Sequence, residues 1–173
     1  FEDFMRKNNC DKYVTVGICG SFRKHYDCIC NEITIFENNG FVVTVPKKDT
    51  VSKEENGFVI FVQDGNLEPH QLEQNYLDQL LESDCVFVCN PDGYIGSTVM
   101  AEIFVMLANG QEVYFLCEPS EQVLKTAIKF HGADNIIMSS KELCHMMKSN
   151  NEVFGWREWP DAYVQESNLS FKR

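Results

Sequence analysis

The sequence predicts an α/β domain built on a five-stranded parallel sheet, doubly wound, with helices on both faces. Three observations predict it. Short runs such as Cys85-Val86-Phe87-Val88-Cys89 are apolar at every position, as strands covered on both sides must be. These runs alternate with segments whose apolar residues recur every three or four positions. The length, 173 residues with 44% hydrophobic and 24% charged, suits one globular domain and argues against disorder, collagen or coiled coil.

The elements follow in order. Tyr13 to Cys19 is a β-branched run that ends at Gly20-Ser21. Phe22, Tyr26, Ile29, Ile33 and Phe36 mark a helix over 22–38, stopped by Asn38-Asn39-Gly40. Residues 41–45 form a second strand closed by Pro46, and the polar stretch 47–56 reads as a loop. Phe58 to Val62 reads as a third strand. Leu72, Tyr76, Leu77, Leu80 and Leu81 mark a helix that runs into the strand at 84–89. The turn-rich segment from Asn90 to Ser97 leads into a helix with Met100, Ile103, Phe104, Leu107 and Ala108 on its inner face. A strand at 113–117, a helix over 121–130, a short strand at 135–138 and a helix over 140–149 complete the pattern.

This organisation gives an N-terminal extension (1–12), one domain (13–149) and a tail (150–173) whose Trp156 and Trp159 pack on the domain or on a partner. The first residues carry two acids and no apolar core, so they do not read as a secretory signal, and the missing initiator Met suggests a trimmed or processed chain. No apolar run approaches the roughly 20 residues that span a bilayer. The net charge of −11 opposes nucleic acid polymers and anionic membranes as partners, but not one small anion in a locally positive pocket. The eight cysteines lack zinc-site spacing, and several sit in apolar runs, where a free thiol packs as a small hydrophobe. We therefore expect no metal, no cofactor and a reducing cytoplasmic location.

Ligands of open parallel sheets bind beyond the carboxyl ends of the strands. Two loops lie there. Gly20-Ser21-Phe22-Arg23 opens a helix, whose N-terminal amides and dipole favour an anion; Ser21 adds a hydroxyl and Arg23 a bidentate donor. The same residues also read as an ordinary N-cap Ser followed by a solvated Arg. The second loop holds Asp92, Tyr94, Gly96, Ser97 and Thr98, with Glu102 about one turn into the next helix. Glu102 stands among Ala101, Ile103 and Phe104, on or beside the buried face, and Asp92 brings a second carboxylate from the same loop. Paired carboxylates suit glycosidic chemistry, and nucleophilic and acid/base roles are both open to a partly buried Glu. Tyr94 has a ring suited to stacking on a base.

The run from Asp84 to Ile103, with Asn90-Pro91-Asp92-Gly93-Tyr94-Ile95-Gly96-Ser97-Thr98 and Glu102, resembles the nucleoside 2-deoxyribosyltransferase superfamily, which includes the 2′-deoxynucleoside 5′-phosphate N-hydrolases. Cys19-Gly20-Ser21-Phe22-Arg23 is similar to the loop with which the nucleotide hydrolases hold a 5′-phosphate, and His131-Gly132-Ala133 fits their C-terminal part. The resemblance implies a flavodoxin-like fold and cleavage or transfer of the N-glycosidic bond of a nucleoside or nucleotide. It implies Glu102 as nucleophile and Ser21, Arg23 and Ser97 as phosphate ligands. Gly20 and Gly96 would make room, and Asp92 would touch sugar or base. It also implies a homodimer. Two alternatives stand beside it: an inactive nucleotide-binding or sensing module, and a lysine-decarboxylase-like phosphoribohydrolase.

Overall fold

The computed structural model describes residues 13–47, 51–55, 58–61, 68–131 and 136–154. The elements are β1 (Thr15–Gly20), α1 (Phe22–Asn38), β2 (Val42–Val43), β3 (Val51–Glu55), β4 (Phe58–Phe61), α2 (Pro69–Glu82), β5 (Cys85–Cys89), α3 (Ser97–Ala108), β6 (Val113–Phe115), α4 (Gln122–Phe130) and α5 (Ser140–Phe154). The extension 1–12, Trp156, Trp159 and Gly132-Ala133 lie outside the described residues.

Strands without a polar face need cover on both sides, and that is where β1 and β5 sit. They pair in parallel from Val16 with Cys85 to Gly20 with Cys89. β2 adds to the free side of β1 and β6 to that of β5, all parallel, in the order β2-β1-β5-β6. The alternation of side chains sorts the core into two layers. Val16, Ile18, Cys85, Phe87 and Cys89 pack with Ile29, Ile33 and Phe36 of α1 and Leu143 and Cys144 of α5. Cys19, Val86 and Val88 pack with Leu80 of α2, Ile103 and Met106 of α3 and Leu124 and Ile128 of α4. Helices thus cover both faces.

The parallel sheet has four strands rather than the expected five. Its fifth position is a single parallel bridge between Phe115 and Ile137, with hydrogen bonds from Phe115 N–H to Ile136 O (2.7 Å) and from Met138 N–H to Phe115 O (3.0 Å). Ile137 is about half exposed, so nothing beyond it extends the ladder among the described residues. The run at 58–61 does not join this sheet. It pairs antiparallel with 51–55, the segment expected to be a loop. A polar sequence carries little strand propensity of its own, and the backbone hydrogen bonds of a partner strand override it.

Local chemistry sets the ends of the elements. α1 stops as expected: the Asn39 N–H bonds Ile35 O and Phe36 O, and Gly40 takes φ 84, the left-handed region glycine favours. Pro69 opens α2, while Glu68 and Gln71 close a reciprocal capping box. Asp84 accepts both the backbone N–H and the hydroxyl of Thr15 at 2.7 Å. That clasp pins the N-terminal ends of β1 and β5 and aligns their carboxyl ends. At Gly17 an added Cβ would meet Leu80 Cδ2 at 2.8 Å, so the glycine lets α2 lie flat on β1.

Candidate active site

Glu102 sits in the second turn of α3, which starts straight after the loop that follows β5. Val99, Ile103 and Met106 are buried on the same side, and a helical side chain leans back towards its N-terminus. Together these aim Glu102 at the carboxyl end of β1, where it is 7% exposed. There the Cys19 thiol donates a hydrogen bond to Glu102 Oε2 at 2.9 Å. Glu73 of α2 comes within hydrogen-bonding reach of the same carboxyl.

Burial raises the Glu102 pKa to about 8; the Cys19 hydrogen bond works against the rise, and the neighbouring Glu73 carboxylate adds to it. At neutral pH Glu102 is therefore the protonated acid, with the Glu73 side chain beside it. Burial first, and then Glu102, pushes the Cys19 thiol well up, so it serves as a neutral donor. Tyr76 donates from its hydroxyl to Ile18 O at 2.6 Å, and burial holds it as a phenol. Glu73, Tyr76, Cys19 and Glu102 thus form one polar cluster in an apolar layer.

A second cluster gathers around Tyr94. Ser21 is the N-cap of α1; its carbonyl accepts from the N–H groups of Lys24 and His25, while its hydroxyl makes no capping bond. Arg23 and Lys24 are exposed. The Lys24 ammonium lies 3.5 Å from the centre of the Tyr94 ring, and His25 meets the same ring edge-on at 5.7 Å. His25 leaves helical geometry (φ −129°, ψ 28°), and its Nδ1 is buried without a partner. Burial lowers its pKa, Lys24 lowers it further, and Asp92 opposes both. The start of α1 and the 90–96 loop therefore meet as a cationic, aromatic rim.

The expected site residues divide between these clusters. Ser21, Arg23 and Tyr94 belong to the rim. Ser97 and Thr98 are exposed in the first turn of α3, and Gly96, its N-cap at φ −72°, leaves open space up to the Tyr94 hydroxyl at 3.7 Å. Gly20 is confined more closely, because an added Cβ would sit 2.8 Å from Cys89 O and 3.2 Å from Ile29 Cδ1. Strand pairing and the packing of α1 alone demand that glycine. Asp92 is exposed with φ 58°, and its charge acts on His25. The carboxylate that acts on Glu102 is Glu73.

Sequence reasoning missed Glu73, Lys24 and His25, and took Cys19 for core filling only. Cys19 is fully buried in the core and also bonds the acid. A signal for Glu73 existed: it lies three residues before Tyr76 and seven before Leu80, a core-facing position occupied by an acid.

Among the described residues no cluster of three or more His, Cys, Asp and Glu side chains could hold a metal ion, and no helix is long and apolar enough to cross a membrane. No protein-family model and no curated protein matches the chain. Among solved structures it is similar to a conserved protein from Enterococcus faecalis V583, at 12% identity and a TM-score of 0.46, over 80% of this chain and 99% of that one. The architecture therefore rests on the strand order and packing given above.

Proposed function

We propose that this chain cleaves or transfers the N-glycosidic bond of a nucleoside or nucleoside 5′-monophosphate, on a frame of the flavodoxin-like doubly wound type. The order β2-β1-β5-β6 supports that frame, since it places the carboxyl ends of β1 and β5 at the reversal of strand order. One observation carries the chemistry: a buried Glu102, its pKa raised to about 8, with a second carboxyl, Glu73, within hydrogen-bonding reach at those strand ends.

In this reading Glu102 first passes its proton to Glu73 as substrate binds, and then attacks the anomeric carbon in its ionised form. The C1′–N bond breaks, its electron pair leaves with the base, and the base takes the proton from Glu73. Water or an acceptor base then attacks C1′, breaks the glycosyl ester and restores Glu102. Cys19 donates to one Glu102 oxygen and so fixes its rotamer. The rim of Ser21, Arg23 and Lys24 supplies a positive field and donors for a 5′-phosphate, and Tyr94 supplies a ring face for the base. Asp92 sits at the rim, where it can contact sugar or base.

The raised pKa of Glu102 favours one further reading, a binding or sensing module, because a protonated acid is no nucleophile. Chromatography of a panel of ribo- and deoxyribonucleoside monophosphates, with and without acceptor base, separates the two. Release of free base that Glu102→Ala abolishes supports catalysis. Tight nucleotide binding without base release supports the module. Base release unchanged in Glu102→Ala refutes the assignment.

A further inference from the structure

On the opposite face of the sheet from Glu102 lies a second arrangement of nucleophilic side chains. Cys89, the last residue of β5, points to the α1 side, where its thiol donates to Cys28 Sγ at 3.1 Å. A disulfide needs about 2.05 Å between sulfurs, so closure asks for a movement of about 1 Å. The seven cysteines among the described residues are all unbridged.

We propose that Cys28 and Cys89 form a reversible dithiol–disulfide couple, closed by a low-molecular-weight disulfide such as oxidised glutathione, that clamps α1 to the end of β5. Three features support it. Cys28 is partly exposed, so a small oxidant reaches it, whereas Cys89 is buried and can act only on a sulfur already in the pocket. The two sulfurs already touch across α1 and β5, while Glu32, one turn along α1 and 6% exposed, sets a charge beside them that helps keep both as thiols at rest. The couple also sits where a constraint has consequence, because Cys89 precedes the 90–96 loop and its carbonyl stands against Gly20.

The exchange proceeds in two steps. The Cys28 thiolate attacks one sulfur of oxidised glutathione, forms a mixed disulfide and expels one glutathione thiolate. Cys89, losing its proton, then attacks the Cys28 sulfur, forms the internal bond and expels the second glutathione thiolate. Two protein thiols lose two electrons and two protons, and one oxidised glutathione becomes two reduced molecules. Burial pushes both thiols up, which keeps the resting pair protonated and the exchange slow.

The test treats the full chain with oxidised glutathione, blocks remaining thiols with N-ethylmaleimide, and maps the digest by mass spectrometry. The expected result is one crosslink between the peptides bearing Cys28 and Cys89, lighter by two hydrogens and reversed by dithiothreitol. The melting temperature should rise by roughly 5–10 °C on oxidation, since the bridge closes a long loop. Cys28→Ser, at a partly exposed site, should lose both crosslink and shift. A glutathione adduct on Cys28 without the bridge, a crosslink to Cys30 or Cys117 instead, or no thiol consumed would each overturn the proposal. The crosslink map is read on the unmutated chain and needs no nucleotide turnover, so its failure leaves the glycosidic reading standing.

Discussion

At the carboxyl end of the sheet, β1 sends Cys19 to one face and β5 sends Cys89 to the other, and the two thiols keep different company. Cys19 faces a carboxyl with partners on two elements: β1 through Cys19 itself and α2 through Glu73. Cys89 faces another thiol, with a buried acid, Glu32, that has an oxygen lacking any partner. Both layers bury a glutamate to a similar degree, yet Glu102 meets a thiol donor and a second carboxyl, whereas Glu32 keeps one oxygen without a partner. Burial alone therefore does not mark a reactive acid. What sets Glu102 apart is a second carboxyl within reach.

The largest effect expected from breaking this contrast is on turnover. Glu102→Ala should lower base release by about a thousand-fold or more, and Glu73→Gln by about a hundred-fold, as loss of nucleophile and of proton donor predict. The pH profile sharpens the same point. If the pair must hold one proton, kcat/KM falls above about pH 8, where that proton leaves. A rate that instead climbs through pH 8 would mean that Glu73 supplies no proton to the leaving base.

Stability comes next in size. Unfolded Glu102 ionises near 4.5 and folded Glu102 near 8, so between these values the folded chain binds more protons and stability falls as pH rises. Glu102→Gln removes that loss. The variant should match the wild type near pH 4 and exceed it by about 2–4 kcal/mol at pH 9, read from denaturant midpoints at fixed m-value. An equal difference at both pH values would mean the carboxyl carries no burial penalty.

The smallest effects test the other layer and the rim. Glu32→Met removes the unpartnered oxygen at similar volume and should raise stability by about 1 kcal/mol in the same assay. Asp92→Gly relieves a left-handed backbone and should stabilise by about 0.5–1 kcal/mol, with base release reduced less than in Glu73→Gln. A larger loss of turnover in Asp92→Gly would make Asp92, not Glu73, the second acid.

Much of the frame was legible in advance because its signals are local. The apolar runs at 15–20 and 85–89, the stripes of α1 and α3, and the Asn-Gly stops after α1 and α3 each follow from neighbouring residues. What escaped depends on partners. Residues 51–55 look like a loop until 58–61 pairs with them, and 136–138 looks like a full strand until its single bridge is seen. The same holds for the site. Glu102 stood out against its apolar neighbours, whereas Glu73 lies 29 positions away on another helix.

The sequence by itself determined the α/β class, the loops at the strand ends and the presence of an acid on the inner side of α3. Periodicity and turn chemistry act over a few residues, so one chain suffices to read them. Only the tertiary structure decided which acid pairs with Glu102, that Cys19 bonds it, and that Cys28 meets Cys89 across 61 positions. The physical reason is the pleat. Alternate residues of β1 and β5 go to opposite faces, and the helices packed on each face settle which distant side chains come into contact.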